Sequence, residues 1–285
     1  MENNNTEEKF IEPLRDYVLK TLWILGNRDI QNYLKRIIKH ITNIDISNYE
    51  LTNVELGKES YYSIANKLDL LLIEKDSRNL LDVEINREYS VTTINKNNSY
   101  LMKISGETYA GLQKKEEIYK DDIVTCQVNL NGYLYKYNPK YEILNSQFKD
   151  QYGNVRLNVQ IFDCFLPAFK NLCYNEDEKA KDLAMLVCTS YEEMAKYTDK
   201  NKERLAVMEE LKHLGRDNVF VDLYDKELYR EAVTFEKEER AKQEGIIQKE
   251  KEAAINFSNI GVNKEAIIKA LNISEEKLND YLKNA

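Results

Sequence analysis

The chain has 285 residues, with 41 Lys and Arg against 49 Asp and Glu, and the resulting net charge of −8 argues against a basic protein that coats DNA. Charged residues at 32% and apolar ones at 42% describe a globular chain rather than a disordered one, of a length that suits one large domain or two unequal ones. With only 9 Gly and 3 Pro there is little turn material for a many-stranded sandwich or barrel, so long helices in an α/β or α+β arrangement are expected.

Residues 1–9 are rich in Asn and Glu and lack the basic and apolar regions of a signal peptide. No apolar run approaches the roughly 20 residues that cross a bilayer. Cys126, Cys164, Cys173 and Cys188 form no CxxC pair, which predicts free thiols in a reducing cytoplasm.

In chain order, Phe10, Leu14, Tyr17, Val18, Leu22 and Leu25 recur at spacings of three and four and predict an amphipathic helix ended by Gly26. Ile30, Tyr33, Leu34, Ile37, Ile38 and Ile41 predict a second, with Lys35, Arg36, Lys39 and His40 on a basic side. Residues 48–56 permit a strand. Residues 67–88, KLDLLLIEKDSRNLLDVEINRE, read as a β-hairpin whose strands, 68–73 and 80–85, flank a turn at 75–79. A helix over 89–115 and a buried strand over 123–130 follow; the stretch 133–163 is ambiguous apart from the alternation of Val155, Leu157, Val159 and Ile161. Beyond 176 the pattern is helical: 179–197, 202–213, and a mixed-charge run over 223–257 supported by i,i+4 pairs. A domain boundary is expected near 165, and residues 263–283 read as two short helices joined by a tight turn.

The hairpin carries the chemistry. Asp82, Glu84 and Asn86 share one face of its second strand, while Leu81, Val83 and Ile85 share the other. Folding about Asp76 and Ser77 sets Asp69 opposite Glu84, and two carboxylates facing across a ladder repel unless a proton or cation lies between them. Mg²⁺ is held by one or two carboxylates and completes its octahedron with water and phosphate, so Asp69 and Glu84 are a candidate metal pair. Asn86 is placed to orient an attacking water. The plain alternative is a pair of acids on the solvent face of a half-exposed hairpin.

Asp69 and Glu84-Ile85-Asn86, after an N-terminal helix and before a long helix and another strand, resemble the PD-(D/E)XK nuclease superfamily. More narrowly, the chain is similar to the recombination-promoting nuclease/putative transposase family. Pro13-Leu14-Arg15-Asp16-Tyr17-Val18-Leu19-Lys20 resembles that family's opening motif, with Leu19 where Phe is usual. Asn66-Lys67-Leu68-Asp69 and Asp82-Val83-Glu84-Ile85-Asn86-Arg87 resemble its metal-binding hairpin. Glu244-Gly245, Gly261 and Ile273-Ser274-Glu275-Glu276 resemble its charged tail and terminal helices.

The resemblance implies a restriction-endonuclease-like α/β core over 10–165, a mixed central sheet flanked by helices. It implies a helical C-terminal region over 166–285 ending in a helix-turn-helix-like pair at about 252–285. The implied activity is Mg²⁺-dependent hydrolysis of DNA phosphodiesters, in recombination or mobile-element biology, with Mn²⁺ able to substitute. Asp69, Glu84 and the backbone carbonyl of Ile85 would hold the metal, which lowers the pKa of a bound water and neutralises charge on the scissile phosphate. Asp16 would contact a metal-bound water. Asn86 stands where the superfamily has Lys and the family Gln, and its amide is one methylene shorter than Gln. The alternative is a catalytically weak or inactive nuclease-fold module that binds nucleic acid or protein, and RNA is a third possible target.

Phosphate contact needs cations. Arg87, then Lys96, Tyr100 and Lys103 along one helix face, are the candidate grip on the DNA backbone, with a solvated helix face the equal alternative. The terminal helical pair carries Glu275, Glu276 and Asp280, which suit packing or homo-oligomer formation better than a DNA groove. His40 and His213 lack partners at ligand spacing and are expected to be structural. The 20 tyrosines are expected in the core and interfaces rather than in a base-stacking platform.

Overall fold

The structure is a computed structural model that describes residues 8–51, 70–75, 77, 79–110, 124–170 and 177–283. The chain divides into two compact units, Met1–Leu223 and Tyr224–Ala285.

In the first unit, helix α1 spans Asp16–Leu25 and α2 spans Arg28–Thr42. The first helix starts at Asp16 rather than at Phe10 because Pro13 keeps the residue before it out of helical backbone, and Arg15 is still extended. Phe10 instead packs edge-on against Tyr191 at 4.9 Å. Gly26 ends α1 as expected, donating its N–H to the Leu22 carbonyl. Asn27 caps α2 through its side chain, and Asn43, in the left-handed region at φ 61°, closes it. The predicted apolar face of α2 is fully buried, each large side chain contributing about 1.5–3 kcal/mol relative to exposure.

Six strands form one mixed sheet: β1 (Tyr49–Leu51), β2 (Leu70–Glu74), β3 (Leu80–Asn86), β4 (Thr125–Asn131), β5 (Ile143–Lys149) and β6 (Val155–Phe165). Their spatial order is β1-β2-β3-β4-β6-β5. The first three are antiparallel in succession, β3, β4 and β6 run parallel, and β5 is antiparallel to β6. Helix α3 (Val91–Ala110) lies in the connection from β3 to β4, the crossover that a parallel pair requires. The strand β5 escaped the sequence reading because ILNSQFK is an edge strand with no clean alternation, and its register slips on either side of Phe148.

After the sheet come α4 (Leu166–Lys170), α5 (Glu178–Met185), α6 (Tyr191–Thr198) and α7 (Lys202–Arg216). The single helix expected over 179–197 is two, because Ser190 starts a new one by accepting the Glu193 N–H. Helix α2 packs on both α5 and α7, so these helices belong to the same unit as the sheet; the compact units therefore do not divide at the boundary expected near 165. His40, on α2, sits 2.9 Å from the carboxylate of Asp182 on α5.

Helix α8 (Asn218–Asn259) carries the mixed-charge run. In the second unit, α9 (Lys264–Leu271) and α10 (Glu275–Lys283) form the expected pair, turned by Asn272 at φ 53°. Ala254, Ile267, Ile273, Leu278 and Tyr281 are its core. Among the described residues, no helix is long and apolar enough to cross a membrane.

Candidate functional site

A central strand covered on both faces ordinarily reads as a continuous apolar run. Strand β3 does not. Its register against β4 pairs Asp82 with Gln127, Glu84 with Asn129 and Asn86 with Asn131, and the next strand sets Asp163 beside Asn129. Three neighbouring strands therefore present polar side chains on one face, backed on the other by Leu81, Val83, Cys126, Val128 and Cys164.

These groups are buried. Glu84 is 3% exposed and Asn86 5%, so the reading of Glu84 as an acid on a solvent face does not hold. Helix α3 covers them, turning Asn97, Leu101 and Ser105 inward. A buried polar group without a partner costs about 1–3 kcal/mol, and the row answers that cost with a network of amides. Asn86 Nδ2 donates to Asn131 Oδ1 at 3.0 Å, Gln127 Nε2 donates to Asp82 Oδ2 at 3.0 Å and to the Asn97 carbonyl at 2.9 Å, and Asn129 Nδ2 donates to Asp163 Oδ1 at 2.9 Å. Asn97 has two amide orientations: in one it donates to Asn86 and Asn129, in the other to Glu84 Oε2 at 3.2 Å and the Thr93 carbonyl at 3.1 Å. The second orientation is the better matched, since it turns the amide nitrogen rather than the oxygen toward the Glu84 carboxylate. Burial pushes the Asp163 carboxyl up, more than the Asn129 and Asn131 amides bring it down.

A cleft of about 280 Å³ opens on this face, and Asn86, Asn97, Asn129 and Asp163 line it. Tyr89, Tyr133, Tyr135 and Phe165 form its aromatic side. It gives access from the surface to the polar row. Burial, reinforced by the nearby charge of Asp163, pushes the Tyr133 hydroxyl up to about 12, so it stays protonated.

The sequence-predicted residues distribute as follows. Glu84 and Asn86 lie together on the buried row, with Ile85 half-buried between them. Asp69 lies outside the described residues; the described hairpin register runs from Leu70 with Val83 to Ile73 with Leu80, as folding about Asp76 and Ser77 predicts. Asp16 pairs with Lys20 one turn along α1, whose ammonium lies 2.7 Å and 2.8 Å from the two carboxylate oxygens and is itself buried. Arg87 reaches Glu12 at 3.2 Å. Lys96 is exposed, 5.2 Å from the Tyr100 ring, so these two share a face as expected, but it is Asn97 that α3 turns toward the row. The side chain of Lys103 lies outside the described atoms.

Gln127, Asn129, Asn131, Asn97 and Asp163 were not foreseen. The signal for the first three was present in TCQVNLN, where polar and apolar residues alternate, the pattern of a strand with one polar face.

Among the described residues, no group of three or more His, Cys, Asp and Glu side chains is gathered to hold a metal ion. What the row does offer is carboxylate and amide oxygen, the hard donors that suit Mg²⁺ rather than a softer metal. Of the expected ligand set, Glu84 and Ile85 are the described members. Scans against protein-family models, curated proteins and solved structures find no match to this chain.

Proposed function

We propose that the chain is a Mg²⁺-dependent DNA endonuclease with a restriction-endonuclease-like core, acting in recombination or mobile-element biology. The observation that carries the proposal is the burial of Glu84 on a central strand, among amides of which Asn86, Asn97 and Asn129 line an open cleft. A carboxylate in such a place is costly unless hydrogen bonds, a proton or a cation compensate it, and acids of this kind gather at functional sites. Further support comes from the chain path: two helices, antiparallel strands β1, β2 and β3, a crossover helix, and a parallel strand β4. On this reading Asp69, Glu84 and the Ile85 carbonyl hold Mg²⁺ or Mn²⁺, and Asn86 orients water. When bound, the metal would supply an activated water and charge neutralisation on the phosphate. Asp16 and Lys20 form a paired unit at the start of α1, while Arg87, Lys96, Tyr100 and Lys103 are the proposed backbone contacts.

The reading is tested by incubating the protein with supercoiled plasmid in Mg²⁺, Mn²⁺ or EDTA beside Asp69→Ala and Glu84→Ala. Metal-dependent nicking that both substitutions abolish is expected; nicking that survives both removes the site. A second reading, a binding module with little catalysis, is favoured by one observation: the Asn86 amide is already engaged with Asn131 and Asn97. A rate gain in Asn86→Gln or Asn86→Lys decides for the enzyme. Self-association through the helical C-terminal region belongs to the same proposal, and sedimentation of the full chain at several concentrations tests it.

A further inference from the structure

The cleft beside the polar row has the shape and chemistry for something flat. Tyr135 lies 5.1 Å from Phe165, Tyr133 meets Phe165 edge-on at 6.0 Å, and Tyr89 meets Tyr133 edge-on at 5.8 Å. Asn98, Asn129 and Asp163 line the same space and bring amide and carboxylate groups to it. At about 280 Å³ the space falls just under the roughly 300–1,000 Å³ of sites that take whole drug-sized ligands, so it suits one ring system of a larger molecule.

The rim narrows the choice further. Lys136 Nζ sits 4.4 Å from the Tyr89 ring centroid and 4.7 Å from that of Tyr137, and Lys136 and Tyr137 are both exposed. Its charge already takes the cation-binding face of Tyr89 and disfavours a cationic guest, while suiting a phosphate linked to whatever fills the cleft.

We infer that this cleft seats one unstacked nucleobase of a single or locally melted strand, its ring against Tyr133 and Tyr135, its edge on Asn129 and Asp163, and its phosphate near Lys136. The inference rests on the nucleic-acid reading above and deepens it, naming unpaired strand as the substrate class. A base brought there also places its backbone beside Asn86, which lines the same cleft. A carboxylate accepts from an exocyclic amino group, so Asp163 favours cytosine over thymine.

The test is fluorescence anisotropy of the full chain in EDTA with four labelled probes: a short oligo-dC strand, an oligo-dT strand of equal length, the dC strand with abasic sites, and a duplex of equal length. The dC strand should bind more tightly than the other three. Tyr135→Ala should weaken it roughly 5- to 100-fold, since stacking one base on an aromatic ring contributes that much, and leave the abasic and duplex probes unchanged. Tyr135→Phe keeps the ring and should keep the affinity, and Asp163→Asn should erase the preference for dC over dT. Equal binding of dC and abasic strands, or an unweakened Tyr135→Ala, overturns the inference. Nicking of plasmid in Mg²⁺ without ring-dependent binding leaves the nuclease reading standing and the base seat refuted; ring-dependent binding without nicking does the reverse.

Discussion

Arg204 donates from Nε to Asp182 Oδ1 over 2.6 Å, and both side chains are wholly closed to solvent. Asp182 also accepts from Arg36 at 2.6 Å and 3.1 Å, and Arg36 and Arg204 pair in turn with Glu203 and Glu178. The cluster ties α2, α5 and α7 together. Removing one member of a buried pair leaves the other uncompensated, so Asp182→Ala should lower unfolding stability by about 3–5 kcal/mol, read from urea midpoints.

The same carboxylate gives a pH dependence with a definite sign. Burial alone would raise it, but hydrogen bonds from His40, Arg36 and Arg204 more than offset this and hold it at about 2, below the usual 3.8. A depressed carboxyl stabilises fully above its unfolded value and loses that contribution as the pH falls through the folded one. Relative to Asp182→Asn, the parent should lose roughly 2 kcal/mol between about pH 5 and pH 2. A stability difference that does not shrink over that range contradicts the assignment.

If Glu84 holds a divalent cation, binding must show in the folded state's stability. Mg²⁺ at 100 times its dissociation constant adds about 2.7 kcal/mol, which for a chain of this size raises the melting temperature by roughly 5–10 °C. Glu84→Gln keeps the hydrogen-bonding shape of the side chain and should abolish that rise. Calorimetry with and without EDTA reads both.

The amide network should behave as a unit. Asn86 and Asn97 are hydrogen-bonded in either orientation of the Asn97 amide, so the double substitution to Ala should cost less than the two single ones added, with a coupling of about 0.5–3 kcal/mol in a double-mutant cycle.

Two glycines should respond with opposite signs. A Cβ on Gly215 would stand 2.1 Å from the Lys9 carbonyl oxygen, a backbone atom with little room to move, so Gly215→Ala should destabilise by about 1–3 kcal/mol and free the N-terminal segment to proteolysis. At Gly245, on α8, a Cβ meets nothing within 4 Å, and Gly245→Ala should stabilise by about 0.5–1 kcal/mol.

Helix α2 was legible because its apolar residues recur at three and four, and strand β3 because its residues alternate at two. The edge strand β5 was not, since a half-exposed strand with a register slip has no periodic burial to write into its sequence. Within the site, Glu84 and Asn86 were found by alternation and their burial was not. Burial comes from α3 folding over the sheet, a long-range contact that no local pattern encodes. Asp163 and the tyrosines of the cleft meet through the order β4-β6-β5, which places distant segments side by side. The tyrosines expected in core and interfaces include Tyr89, Tyr135 and Tyr137, which gather at this opening instead, with Tyr137 75% exposed.

The slip beside Phe148 has one further effect. The sheet ends on one side in β1, three residues long, and on the other in β5, where the ladder is broken at its far end and Lys149 closes the strand. Neither described border presents the long, flat, regular row of amides and carbonyls on which strands from other molecules can grow. On the β5 side the broken ladder makes a poor template for open-ended stacking, so the aromatic cleft near it has no long regular edge of β5 alongside on which copies could grow.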